Sequence, residues 1–242
     1  MDLCGRGVAA MNKRCMILGY STNICRELHD ELTERGNDCR VVCMREQGMY
    51  VPIKSRDLVG LDALTAFSKI TSEIGPVDSV VFDIVNNNEI VCDINNYGPF
   101  VDSVEGIITL FFETLQSITQ HLITRSGSQI WVLTREDSLS YHVPVDINPI
   151  IAHAQHAVVR SVAKEISHFG IFINAAMLQF SAQELSPEAW KTGRGLKAYS
   201  SRFKPFSSRS MARFLSQLIS LPELPINGVV MNIGLGTCEY NI

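Results

Sequence analysis

Short apolar runs alternate with amphipathic stretches along nearly the whole chain, and this alternation limits the folds open to it. "CMILGY" (15–20), "CRVVCM" (39–44), "DSVVFDIV" (78–85), "QIWVLT" (129–134), "IFINAAML" (171–178) and "GVVMNIG" (228–234) read as strands. Residues 23–36 read as a helix, with Ile24, Leu28 and Leu32 at helical spacing and Gly36 as the stop. A second helix spans 61–75, with Leu64, Phe67, Ile70 and Ile74 on one face. A long one covers 104–125, where Ile107, Ile108, Phe111, Phe112, Leu115, Ile118 and Leu122 form a wide apolar arc. Helices at about 151–168 and at 207–220 follow, the last with Ser208 as candidate cap. Residues 181–206 are irregular and polar, and a long loop carries Pro144 and Pro149.

Alternating strands and helices predict a parallel sheet covered on both faces. Right-handed crossovers then give an α/β fold: a single Rossmann-like doubly wound parallel sheet with helices on both faces. Residues 13–242 form that one domain, and 1–12 are expected to be a flexible N-terminal extension with a second candidate start at Met11.

Composition narrows the function. Hydrophobic residues are 46% and charged residues 19%, with a net charge of -4 and no run of Lys or Arg, so no nucleic-acid footprint is expected. The 7 cysteines are odd in number, scattered and without a CxxC pair, which fits reduced, mostly buried thiols in a cytoplasmic protein. No secretory signal and no apolar run long enough to span a bilayer is seen, so no membrane partner is expected.

Several phrases resemble the short-chain dehydrogenase/reductase family in order and over nearly all of 13–237. "ILGYSTNIC" with "LTERGNDCRVV" is similar to its first βαβ unit, "SEIGPVDSVVF" to its approach to the fourth strand, "VVRSVAKEISHFGIFINAA" to its helix-then-strand phrase, and "INGVVMNIGLGT" to its closing strand. The resemblance implies where functional groups should stand, and they are missing. The family's Gly-x3-Gly-x-Gly turn, which lets backbone approach a diphosphate, becomes Gly19-x3-Asn23-Ile24-Cys25. Its Asn-Asn-Ala-Gly falls on Phe82-Asp83-Ile84-Val85, and the "NNN" of 86–88 reads as a polar turn. Its catalytic asparagine falls near Ser103, its serine near Arg135 with Ser138 and Ser140 close by, and its tyrosine and lysine fall on Ala152 and His156. Its Pro-Gly after the sixth strand becomes Leu178-Gln179.

Alanine has no proton to transfer, so the resemblance implies a catalytically inactive chain that binds no cofactor of its own. It implies pairing with an active paralogue that carries NAD or NADP, in a hetero-oligomer such as a tetramer. Such a complex would be an NAD(P)-dependent alcohol or 3-hydroxyacyl-CoA dehydrogenase, with the silent chain structural or completing the pocket. At family level this resembles the hydroxyacyl-CoA dehydrogenase of benzylsuccinate β-oxidation in anaerobic toluene degradation, which pairs an active with an inactive subunit. An acyl-CoA-type substrate at the partner's site is the corresponding expectation. The family's paired-helix interface implies contact residues Ile108, Phe112, Leu115, Ala154, Ala157, Val158, Ser161 and Val162, and the tail "LGTCEYNI" is a candidate intersubunit reach.

Other readings of the residues stay open. His153 and His156, three apart on a helix, could serve a metal with a third ligand, although filling a vacated pocket is the plainer role. Tyr141 or His156 could act in a non-standard oxidoreductase, and the old cofactor cleft could sense a ligand. Arg45 stands where a basic residue can hold a 2′-phosphate, and the basic, aromatic stretch 194–206 could touch a coenzyme A phosphate; a surface arginine and a mobile lid loop are the plainer readings.

Overall fold

The computed structural model describes residues 12–19, 23–45, 48–50, 68–69, 71–73, 75–83, 97–135, 149–179, 181 and 206–234. The side chains of 43–50, 97, 99, 100, 103 and 149 lie outside the described set. The strands are β1 (Arg14–Gly19), β2 (Asp38–Arg45), β3 (Gly48–Tyr50), β4 (Ser79–Asp83), β5 (Gln129–Arg135), β6 (Phe172–Leu178) and β7 (Val230–Ile233). They form one sheet in the order β3-β2-β1-β4-β5-β6-β7. Every pairing is parallel except that of β2 with β3, which is antiparallel. The expected doubly wound parallel sheet is therefore present, with a short antiparallel strand on one edge. That strand has three residues and follows β2 almost at once, too little for period-two patterning to show.

The long helices are α1 (Asn23–Glu34), α2 (Tyr97–Leu122), α3 (Pro149–Ile166) and α4 (Ser208–Ile219). Residues 68–69 and 71–73 are also helical, and the rest of the helix expected at 61–75 lies outside the described residues. Gly36 stops α1 as the sequence suggests. It adopts φ +83°, while the amide of Asn37 donates back to the Leu32 carbonyl at 3.1 Å. Two boundaries differ from expectation. α2 begins at Tyr97 rather than Val104, because Pro99 falls in a first turn whose amides have no helical partner to lose. The cap of α4 is Ser207 rather than Ser208: its Oγ accepts from the Ser210 amide at 3.1 Å, whereas Ser208 is buried inside the first turn.

Strand alternation divides the core into two layers. Val80, Phe82, Ile130, Val132, Ile173 and Ala175 face α2 and α3. Val81, Trp131, Leu133, Ala176 and Leu178 face α1 and α4. Cys15, Cys25 and Cys39 form no disulfide and are buried in this second layer. Among the described residues no helix is long and apolar enough to cross a membrane.

Candidate functional site

In an open parallel sheet, ligands bind beyond the carboxyl ends of the strands, where the strand order reverses. Here that point lies between β1 and β4. β1 ends at Gly19, and its neighbour β4 ends at Asp83. A Cβ built on Gly19 would overlap the Asp83 carbonyl and stand 2.8 Å from the Asp83 Cβ, so packing alone demands glycine there. Asp83 follows Val81 on the side of α1 and is 2% exposed. The Cys25 thiol, from the first turns of α1, donates to Asp83 Oδ2 at 3.3 Å. Cys25 is itself 1% exposed. Where the resemblance implies a third glycine for close helix–strand packing, a thiol–carboxyl contact joins helix to strand.

The other residues that the resemblance assigns to the turn and strand end do different things. Asn23 is exposed, and its Oδ1 accepts from Arg26 at 2.7 Å. Phe82 points away from the crevice and stacks on Phe111, ring centroids 5.5 Å apart. It is core, and it does not close a nucleotide path.

The places that the resemblance gives to a tyrosine and a lysine lie on α3 against β5. Ala152 and His156 are both buried. His156 Nε2 is hydrogen-bonded to Thr134 Oγ1 at 2.8 Å, with the direction set by the tautomer. His153 is exposed and meets His156 edge to face, centroids 6.1 Å apart. Among the described residues no cluster of three or more His, Cys, Asp or Glu could complete a metal site with them. Arg135 ends β5 in a buried position, where a guanidinium replaces the hydroxyl that the resemblance implies. Ser103 lies within α2, but its side chain is outside the described set. Tyr141, Ser138, Ser140, residues 86–88, 194–205 and the tail from 235 also lie outside the described residues, as does the side chain of Arg45.

Gln155 escaped the sequence reading as a site residue, and Gln179 entered it only at the place of the family's Pro-Gly. Gln155 and Gln179 are each 2% exposed, and neither side-chain amide has a hydrogen-bond partner among the described residues. Gln179 lies against Gly234, whose added Cβ would stand 2.6 Å from the Gln179 Cδ. Gln155 shares the buried stripe of α3 with Ala152, His156 and Val159, a pattern visible as helical spacing once the register is fixed.

On the outer side of α2 and α3, Phe112 is 48% exposed, Val101 and Ile150 are also exposed, and Ile108 and Ala154 are partly so. Ala157 and Ser161 are exposed, while Val158 and Val162 pack partly against the core. Leu115 corrects the expected contact set: it is 2% exposed and faces the sheet, which removes it from any surface that α2 offers.

No protein-family model and no curated protein matches the sequence. Solved structures do match. A gluconate 5-dehydrogenase from Burkholderia cenocepacia J2315, in complex with NADP and tartrate, aligns with TM-score 0.63 at 13% identity, covering 91% of this chain and 93% of its own. The structure of gox2181 aligns with TM-score 0.64 at 15% identity, covering 93% of this chain and 95% of its own. At these identities the likeness concerns fold alone: the chain shares the Rossmann-like architecture of these structures over almost its full length.

Proposed function

We propose that this chain is a catalytically silent subunit built on a dehydrogenase frame, paired with an active paralogue that supplies NAD or NADP and the proton-transfer groups. One observation carries the reading. At the place of the proton donor stands buried Ala152, and at the place of its lysine stands His156, tied to Thr134 at 2.8 Å. Neither offers a free acid to a substrate hydroxyl. The apolar and small residues on the outer side of α2 and α3, led by Phe112, give a partner something to bury. An alcohol or 3-hydroxyacyl-CoA would then react at the partner's site, with this chain bracing the partner's loops or completing its pocket. NADP in the gluconate 5-dehydrogenase structure supports a nicotinamide cofactor for that partner.

The experiment is a titration of the purified chain with NAD(H) and NADP(H), repeated after co-expression with a paralogue encoded beside it. The silent-subunit reading expects no binding alone, stable co-purification and one cofactor per pair. Tight binding and turnover by the chain alone would sink it and return Tyr141 and His156 to consideration as catalysts. A second reading, a ligand-sensing module, draws on the buried amides of Gln155 and Gln179, which have no partner among the described residues. It expects a small polar ligand to raise the melting temperature without turnover.

A further inference from the structure

We propose that Asp83 is a built-in barrier to dinucleotide binding, separate from the loss of the glycines; the inference rests on the silent-subunit reading. A diphosphate carries only acceptor oxygens and negative charge, and in this fold class it crosses the β1/β4 reversal close to backbone. At that reversal the chain sets a carboxyl group. Asp83 ends β4 beside Gly19, is 2% exposed, and turns toward α1. Its Oδ2 takes the Cys25 thiol at 3.3 Å, so that side-chain hydrogen is already committed within the chain. A diphosphate approaching here would meet an acceptor where it needs a donor. Replacing Asn23 and Cys25 by glycine would remove bulk but leave the carboxyl in place, with its thiol partner gone. The residues present therefore disagree with a dinucleotide in chemistry as well as in shape.

The separation can be measured. Inorganic pyrophosphate and NADPH are titrated by calorimetry into wild type, into Asn23→Gly/Cys25→Gly, and into that pair with Asp83→Asn added, each checked for native circular dichroism. The expected result is no saturable binding by wild type. The triple variant should bind both probes, with pyrophosphate displacing NADPH, at least about tenfold more tightly than the glycine pair, a ratio equivalent to about 1.4 kcal/mol. If the glycine pair binds as tightly as the triple, or the folded triple binds neither probe, Asp83 is not the barrier and the silent-subunit reading is untouched. Tight NADPH binding by wild type overturns both together. Should the triple variant not fold, the single Asp83→Asn chain is read against wild type with pyrophosphate by the same tenfold criterion, and equal binding overturns the inference.

Discussion

Thr134 and His156 tie β5 to α3 side chain to side chain. Their 2.8 Å hydrogen bond is buried, at 1% and 7% exposure, between β5 and α3. Thr134→Val keeps the shape of the side chain and removes the hydroxyl. It should cost about 1–3 kcal/mol, the usual penalty for depriving a buried polar group of a partner. Urea unfolding measures this, and adding His156→Leu should recover part of the loss because the two effects are coupled. An unchanged midpoint for Thr134→Val would show that the pair holds nothing together. Glu31 gives a pH-dependent counterpart. Burial pushes its carboxyl upward, but hydrogen bonds from Arg209 at 3.2 Å and Arg213 at 3.4 Å, with their positive charge, hold it below the ordinary glutamate range. A carboxyl depressed in the folded state stabilises above its unfolded pKa of about 4.3, and that stabilisation fades as pH falls through the folded value. Glu31→Gln should therefore be less stable than wild type at pH 7, and the two melting curves should converge in acid. Salt should narrow the gap too, since both arginines are more than half exposed.

Elements are joined here by contacts that no local pattern announces. The Lys13 amine donates to the carbonyls of Ile219, at 3.0 Å, and Leu221, closing the C-terminus of α4 from the residue that precedes β1. Burial holds that amine below its ordinary pKa. Lys13→Met keeps most of the apolar stem and strips the donors, so thermal unfolding should show a loss of about 1–3 kcal/mol. A neutral result would mean that water replaces the amine. Such a contact joins residues more than 200 positions apart, and the same limit explains what the sequence did and did not disclose. Strand and helix identities were legible because periodicity is local: β1, β4, β5, β6 and α1 stand within a few residues of where the pattern put them. The start of α2 was not, since Gly98 and Pro99 look like a loop unless the rule for first turns is applied. Ala152 and His156 were named from the resemblance, and their burial on one stripe of α3 fits helical spacing. The Cys25–Asp83 contact was not legible, for it spans 58 positions, and period-two alternation along β4 would have sent Phe82 to the core and Asp83 to the crevice.

At the scale of the whole molecule, the question is whether the α2/α3 side is a surface or half of an interface. Neighbouring residues on one helix can decide it. Leu115 is 2% exposed within the core, whereas Phe112, one turn before, is 48% exposed. Leu115→Ala removes packed volume and should destabilise the isolated chain by about 2.7–5 kcal/mol. Phe112→Ala should leave the isolated chain within about 1 kcal/mol of wild type, because about half of that residue is exposed. If the chain works in a pair, the same Phe112→Ala change removes a central aromatic anchor and should weaken association by about 2 kcal/mol, roughly 30-fold. Light scattering of the co-expressed pair reads the association, and urea unfolding of the chain alone reads the fold. Ala157→Glu tests the neighbouring helix independently, placing charge on an exposed small residue where a partner helix must come close. Loss of the pair in both variants, with unfolding of the single chain unchanged, would locate the function in this surface. A pair that survives both would put the partner elsewhere on the molecule and leave Phe112 an ordinary exposed aromatic.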